Sequence, residues 1–148
     1  MKVIVRSARL DDLERIRKLY ESTFKTEGSS EDWSKSLNEM RLREGVKFLV
    51  AEADGVVAGT CILYIIPSIS HGARPIAYAE HVVVDEKYRK SGIGRSLMEE
   101  CVKIAKNAKS YKLFLPSRIA RTGAHEFYEK LGFSKTGFVF QLDLNELE

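Results

Sequence analysis

The sequence predicts an α+β domain, a mixed α/β arrangement in which one sheet is covered by helices. Three observations carry this. Strand-type and helix-type apolar periodicities follow one another as strand, two helices, three strands, helix, strand, helix, strand. Asp54-Gly55 sits between two apolar runs and marks a tight hairpin. The β-branched triplet Val82-Val83-Val84 passes through a short charged loop into a helix opened by Gly92 and Gly94. A chain of 148 residues fits a single domain spanning 1–148, and no repeat, low-complexity tract or interdomain linker divides it.

The elements follow in order. Lys2 to Arg6 sets Val3 and Val5 against Lys2, Ile4 and Arg6, a strand pattern. Leu13, Ile16, Leu19, Tyr20 and Phe24 recur at helical spacing, with Asp11 and Glu14 placed as a capping box for a helix over 11–25. A polar joint, Thr26 to Ser30, leads to a second helix carrying Trp33, Leu37, Met40 and Leu42. Trp33 serves either as a core anchor or as part of a cleft wall. Strands over Val46–Glu52 and Val56–Ile66 flank the hairpin turn. Pro67 to Pro75 is rich in turn residues and reads as a loop. Ile76 to Val84 is mostly apolar, as in a strand buried on both faces. Ile93, Leu97, Met98, Cys101, Val102 and Ala105 form the apolar stripe of a helix over 92–107. Tyr111 to Leu115 is a strand closed by Pro116, residues 122–131 a helix, and Gly132 its C-terminal cap. Phe138, Phe140, Leu142 and Leu144 alternate as in a last strand.

Composition excludes several classes. Hydrophobic residues make up 44% and charged residues 30%, which suits a packed core under a solvated surface. A net charge of +3 falls short of a nucleic-acid-binding balance. Lys103, Lys106, Lys109 and Lys112 form a basic run that reads as a solvated helix face. Cys61 and Cys101 lie in apolar contexts without metal-ligand spacing, so buried free thiols are expected and no metal. There is no signal-peptide pattern and no apolar run of membrane-spanning length, so the expected location is cytoplasmic.

The stretch from Val82 to Gly94 concentrates the chemistry. A strand ending next to a glycine-opened helix aims unpaired backbone N–H groups at one point, where the helix dipole favours negative charge. Glycine lets a ligand approach the backbone closely. Neither the dinucleotide fingerprint nor a P-loop fits: the third glycine position is Leu97, and no Gly-Lys-Ser/Thr follows. The pattern Arg89-x-x-Gly92-x-Gly94 resembles the R-x-x-G-x-G signature of the GNAT superfamily of N-acetyltransferases. A second block, Phe127-Tyr128-Glu129-Lys130-Leu131-Gly132-Phe133, resembles that family's late helix and turn. The resemblance implies a mostly antiparallel central sheet with two splayed parallel strands. It implies acetyl-CoA as cosubstrate, its pyrophosphate held by the loop Arg89, Lys90, Ser91, Gly92, Ile93, Gly94 and Arg95. Its pantetheine arm would pair with the backbone of Val82, Val83 and Val84, freed by the splay.

Acetyl transfer to an amine needs a neutral, positioned nucleophile, a donor for the developing oxyanion and a proton for the leaving thiolate. Glu80 is the candidate base. A carboxylate inside the apolar run Ala77-Tyr78-Ala79-Glu80-His81-Val82 is costly unless it is paired or reaches water. A salt bridge is the alternative. Small-amine members of the resembled family carry a glutamate there. His81 is the rival base, placed by simple alternation on the opposite face unless a bulge intervenes. Tyr128 matches the family tyrosine and is the candidate acid, with aromatic packing as the alternative. The oxyanion donor falls to a backbone N–H within Val82–Val84. Where many members have asparagine, this chain has Arg121.

The implied function is N-acetylation of a primary amine on a small molecule by direct attack in a ternary complex. Likeness to aminoalkylphosphonate and glucosamine-phosphate members points to an amine carrying an anion, with His71, Arg74 and Arg121 as its candidate contacts. Acetylation of a protein N-terminus or lysine, and a non-catalytic acyl-CoA-binding module, are the alternatives. No nucleic-acid or membrane partner is expected, and a homodimer through the C-terminal strand stays open.

Overall fold

The computed structural model describes residues 1–147, which form two compact units meeting at Leu115/Pro116. The first unit holds five strands: β1 (Val3–Ser7), β2 (Val46–Ala53), β3 (Val56–Ile66), β4 (Ile76–Val84) and β5 (Leu113–Phe114). They lie side by side in sequence order. Neighbours are antiparallel except β4 and β5, which run parallel. The expected mixed α+β sheet flanked by helices is therefore present. Asp54 and Gly55 both take the left-handed conformation, with φ of 48° and 85°, as the two-residue hairpin turn between β2 and β3 requires.

Three helices cover this sheet: α1 (Leu13–Glu21), α2 (Ser30–Arg41) and α3 (Ile93–Asn107). On one side, Ile16, Leu19, Tyr20 and Leu37 pack with Val50, Val57 and Val83, and Phe24, Trp33 and Phe48 close the edge of this cluster. On the other, α3 buries Ile93, Leu97, Met98, Cys101 and Ala105. Gly59 on β3 makes that approach possible. A Cβ there would lie 2.7 Å from Ile93 Cγ2, closer than a side chain allows, and 3.2 Å from Leu97 Cδ1, a tight contact. Cys61 and Cys101 are both free and buried, their sulfurs 3.6 Å apart.

The helix starts show how local chemistry sets boundaries. Ser29 caps α2: its hydroxyl accepts from Asp32 N and its own N–H donates to Asp32 Oδ2 at 2.8 Å. At α1 the capping acid is Asp12 rather than Asp11 or Glu14. Its Oδ2 accepts from Arg9 N at 2.7 Å, and a 3-10 turn over Leu10–Asp12 precedes the helix. The reason is Arg6, which reaches both Asp12 oxygens at 2.7 and 2.9 Å and draws that carboxylate inward, where it is 7% exposed. Arg6 also bonds Glu52 on β2, so one guanidinium ties β1, β2 and the helix entry together.

The second unit, from Pro116 onward, holds α4 (Thr122–Lys130). Gly132 ends it at φ 99°, its N–H donating to Glu129 O while Phe133 N donates to Tyr128 O. That is the double bond of a Schellman motif. The expected last strand is not formed. Residues 134–143 take no regular structure, a 3-10 turn covers Leu144–Leu147, and Phe138 and Phe140 are 80% and 94% exposed. Alternation specifies which residues would share a face. A strand forms only where a neighbour also supplies hydrogen bonds.

Candidate active site

The site is organised by an irregularity in β4. Val84 and Val83 pair with Gly59 and Thr60, but Glu80 pairs with Ile62, so His81 and Val82 together oppose Cys61. This is a β-bulge, and His81 takes φ 50° within it. The extra residue breaks the alternation that would send His81 to the face opposite Glu80. Both side chains line one cleft of about 410 Å³ between the sheet and the α1–α2 pair. His81 Nδ1 lies 3.7 Å from Glu80 Oε1, and the His81 ring packs 5.1 Å from Phe24 and 5.7 Å from Tyr20.

Glu80 has no lysine or arginine partner among the described residues. Its carboxylate instead accepts from Tyr64 Oη at 3.1 Å and from Tyr78 Oη at 3.3 Å. Burial pushes the Tyr64 phenol up to about 12, with the Glu80 charge and hydrogen bond adding to it. Burial and the Glu80 charge raise Tyr78 as well. Two protonated phenols therefore hold one carboxylate by its two oxygens, and neither phenol competes as a base at neutral pH. Such a carboxylate can accept a proton from a bound amine, directly or through a water.

The free edge of β4 lies beside this cluster. β5 pairs only with Ala77 and Tyr78, so from Ala79 to Val84 the strand has no β5 neighbour. The loop beyond is pinned at its base. Asp85 is ion-paired with Arg15 of α1, whose Nε donates to Val57 O at 2.9 Å. The Lys87 N–H and then Arg15 hold the Asp85 carboxyl below its usual value. Arg89 is extended, Lys90 sits at φ 63° and Gly92 at φ 88°. Left-handed residues alternating with others turn successive N–H groups toward one side, a nest for an anion. The first α3 bond runs from Ser96 N to Gly92 O at 2.9 Å, leaving the first-turn amides of Ile93, Gly94 and Arg95 without helical acceptors. A Cβ at Gly92 would meet nothing within 4 Å, so the positive φ rather than crowding calls for glycine there.

The loop residues are not alike. Ile93 is 1% exposed, and its side chain packs under Gly59, so only its backbone faces the nest. Ser91 Oγ bonds Tyr88 O. Arg95 lies 3.8 Å from Glu99 on an exposed helix face. Both cysteines are buried, and Cys101 and then burial push the Cys61 thiol up, which argues against Cys61 as an acyl carrier.

Other candidates lie elsewhere. Arg74 is engaged with the carbonyls of Lys109 and Ser110 at 3.0 and 3.2 Å, and the His71 ring stacks on Tyr111 at 4.0 Å. Neither lines the cleft. In the second unit, the Tyr128 ring packs edge-on against Phe127 and Phe133, with centroids 5.2 and 5.8 Å away. Arg121 precedes α4 as its N-cap residue, and Arg118 O is bonded to His125 Nε2. Sequence reasoning missed Tyr64, Tyr78 and Arg15. Tyr78 shares the face of Glu80 two residues on and was accessible to alternation. Tyr64 needed the register of β3 against β4.

The class that this fold and site define is shared with known proteins. The sequence model of the Acetyltransferase (GNAT) family matches residues 13–133, and the chain belongs to that family. It is 33% identical over 111 residues to a glucosamine 6-phosphate N-acetyltransferase of Trypanosoma brucei brucei, covering 74% of each chain. It is 31% identical to an N-alpha-acetyltransferase of Saccharolobus solfataricus over 88% of this chain and 80% of that one. A crystal structure of a Trypanosoma brucei acetyltransferase superposes with a TM-score of 0.83 at 29% identity, covering 97% of this chain and all of the other.

Proposed function

We propose that the chain is an acetyl-CoA-dependent N-acetyltransferase that acetylates a primary amine of a small molecule by direct attack in a ternary complex. The observation that carries this is the bulge at His81–Val82. It sets His81 beside Glu80 in the cleft, next to the stretch of β4 that β5 leaves free. That geometry puts a base within reach of an amine while backbone groups next to it remain available for a cosubstrate arm.

The residues present fit the cosubstrate. Val82, Val83 and Val84 would pair with the pantetheine amides. The nest of Arg89, Lys90, Ser91, Gly92, Ile93, Gly94 and Arg95 would hold the pyrophosphate, with the helix dipole of α3 behind it. Acetyl-CoA supplies an activated acyl carbon. The chain's own work is to seat the amine in the cleft, take its proton on Glu80 and exclude bulk water by the aromatic wall. Tyr64 and Tyr78 orient the Glu80 carboxylate. Tyr128 is the assigned acid for the leaving thiolate. We place both compact units in one catalytic domain, supported by a family match that spans them. We assign it to the cytoplasm, and no helix of the described residues is long and apolar enough to cross a membrane.

Likeness to the archaeal N-alpha-acetyltransferase favours a second reading, acetylation of a protein N-terminus. One assay separates the two and tests the first. Release of CoA thiol is followed against small amines, amino sugars, aminophosphonates and short peptides, with acetyl-CoA binding measured by calorimetry. Turnover on a small amine above that on any peptide is expected. Failure to bind acetyl-CoA refutes both readings.

A further inference from the structure

The wall of the cleft narrows the acceptor further. Around Glu80 and His81 stand Tyr20, Trp33, Phe48 and Tyr64, with Leu13, Leu37, Met40 and Ile62 between them. The remaining polar lining is Glu27, Asp32 and Ser36, and among the described residues that line the cleft there is no lysine or arginine. Glu27 has Lys25 at 3.7 Å, both exposed, so its charge is partly offset. Asp32 is held below the usual carboxylate range, first by the Ser29 N–H and then by the Ser29 hydroxyl. Arg17, on the same helix as Tyr20, lies 4.3 Å over the Trp33 ring with its guanidinium bonded to Gly28 O. The cleft is therefore apolar and aromatic along its walls and negative in its charged groups.

A second observation concerns Tyr20, which also lines the cleft. Tyr20 is 6% exposed, and its hydroxyl is buried without a hydrogen-bond partner. Buried hydroxyls are almost always satisfied, and one left unmade is costly. Burial pushes the Tyr20 phenol above its usual value, with the Glu80 charge adding to it. The hydroxyl thus stands in the same electrostatic neighbourhood as the Glu80 cluster, able to accept one N–H from a ligand nitrogen.

Resting on the acetyltransferase reading above, we propose that the acceptor is a cationic primary amine on an aromatic or branched apolar body. Its nitrogen sits between Glu80 and the Tyr20 hydroxyl, its body lies against Trp33, Phe48 and Leu37, and phosphorylated amino sugars are rejected. The ammonium is attracted by three carboxylates and loses one proton to water on the way in. The neutral nitrogen then bonds the acyl carbon, the carbon–sulfur bond breaks, its second proton goes to Glu80, and the thiolate takes a proton from Tyr128. A phosphate in the same place would meet carboxylates and no facing cation. A volume of about 410 Å³ lies in the range of small-ligand clefts and suits a single-ring amine.

Trp33 is the only tryptophan of the chain, so its emission reports this cleft directly and without acetyl-CoA. The probes are 2-phenylethylamine, glucosamine 6-phosphate and an alanine-initiated tetrapeptide. 2-Phenylethylamine is expected to change Trp33 emission saturably and to give kcat/KM about tenfold or more above either other probe, a difference of about 1.4 kcal/mol. Tyr20→Phe removes only the unpartnered hydroxyl. It is expected to raise KM for 2-phenylethylamine about tenfold while Tm stays level or rises, a pattern that a merely structural role would not give. Preference for glucosamine 6-phosphate or the peptide, or an unchanged KM in Tyr20→Phe, overturns the proposal and leaves the transferase reading standing. If calorimetry finds no acetyl-CoA binding, the transferase reading falls. The Trp33 titration then still decides the cleft: saturation by 2-phenylethylamine upholds its selectivity and a flat response removes it.

Discussion

Glu80 and His81 are adjacent in a strand, yet their side chains meet at 3.7 Å in one cleft. A regular strand sends neighbours to opposite faces. Here the left-handed turn at His81 absorbs one residue, so β4 delivers two titratable groups to one place. The bulge lies within the stretch of β4, Ala79 to Val84, that β5 does not cover. The bulge thus sets His81 beside Glu80, and the short β5 leaves the strand edge next to both open.

The two groups are separable by substitution. Glu80→Gln keeps the shape and the acceptance of one phenolic hydrogen bond but removes the basic oxygen. Turnover should fall about 10²-fold or more, with acetyl-CoA affinity unchanged by calorimetry. His81→Gln should cost much less, because His81 is 45% exposed in its side chain and makes no hydrogen bond to the Glu80 network. Steady-state rates of the two variants decide the assignment, and the reverse ranking gives the base to His81.

Gly92→Val tests the anion nest. At φ 88° a β-branched residue is strained, and the turn must rearrange or bear a cost of about 1–2 kcal/mol. No neighbouring atom stands in the way of the new side chain, so the fold should survive. Titration calorimetry should show loss of acetyl-CoA binding, while circular dichroism stays that of the wild type. Binding at wild-type strength would move the pyrophosphate elsewhere.

Much of this was legible in the residues, and the exceptions have physical causes. The β2–β3 turn, the end of β3 and the start of β4 were fixed by Asp54-Gly55, Pro67 and Pro75, whose conformational demands are local. The bulge was not visible, because nothing about a histidine announces a positive φ; it results from register against β3 and packing against Tyr20 and Phe24. Tyr64 lies 16 positions before Glu80 and joins it only through strand pairing. The Phe138–Leu144 alternation misled because period says nothing about whether a partner strand exists.

Tyr128→Phe separates acid catalysis from packing. The phenyl ring preserves the edge contacts with Phe127 and Phe133, and thermal melts beside the kinetics report any loss of stability. If the phenol protonates the leaving thiolate, kcat should fall roughly 10²-fold with KM for acetyl-CoA nearly constant. A variant that turns over normally would take the acid role away from Tyr128.

Acid should loosen the joint between β1, β2 and α1 through Asp12. Burial works to raise its carboxyl, but the Arg6 hydrogen bonds, the Arg9 N–H and the charges of both arginines outweigh it, and the folded value lies below the usual one. A carboxyl with a depressed folded pKa contributes stability that is fully present above its unfolded value, near 4, and is lost as pH falls through the folded one. Urea melts should therefore show a steepening loss of stability below about pH 4. Asp12→Asn removes that contribution, so its stability should depend less on pH in this window. At neutral pH it should be destabilised by roughly 3 kcal/mol, since Arg6 then keeps only Glu52 as a charged partner in a half-buried setting. Parallel stability–pH curves for the two proteins would show that Asp12 carries no such linkage.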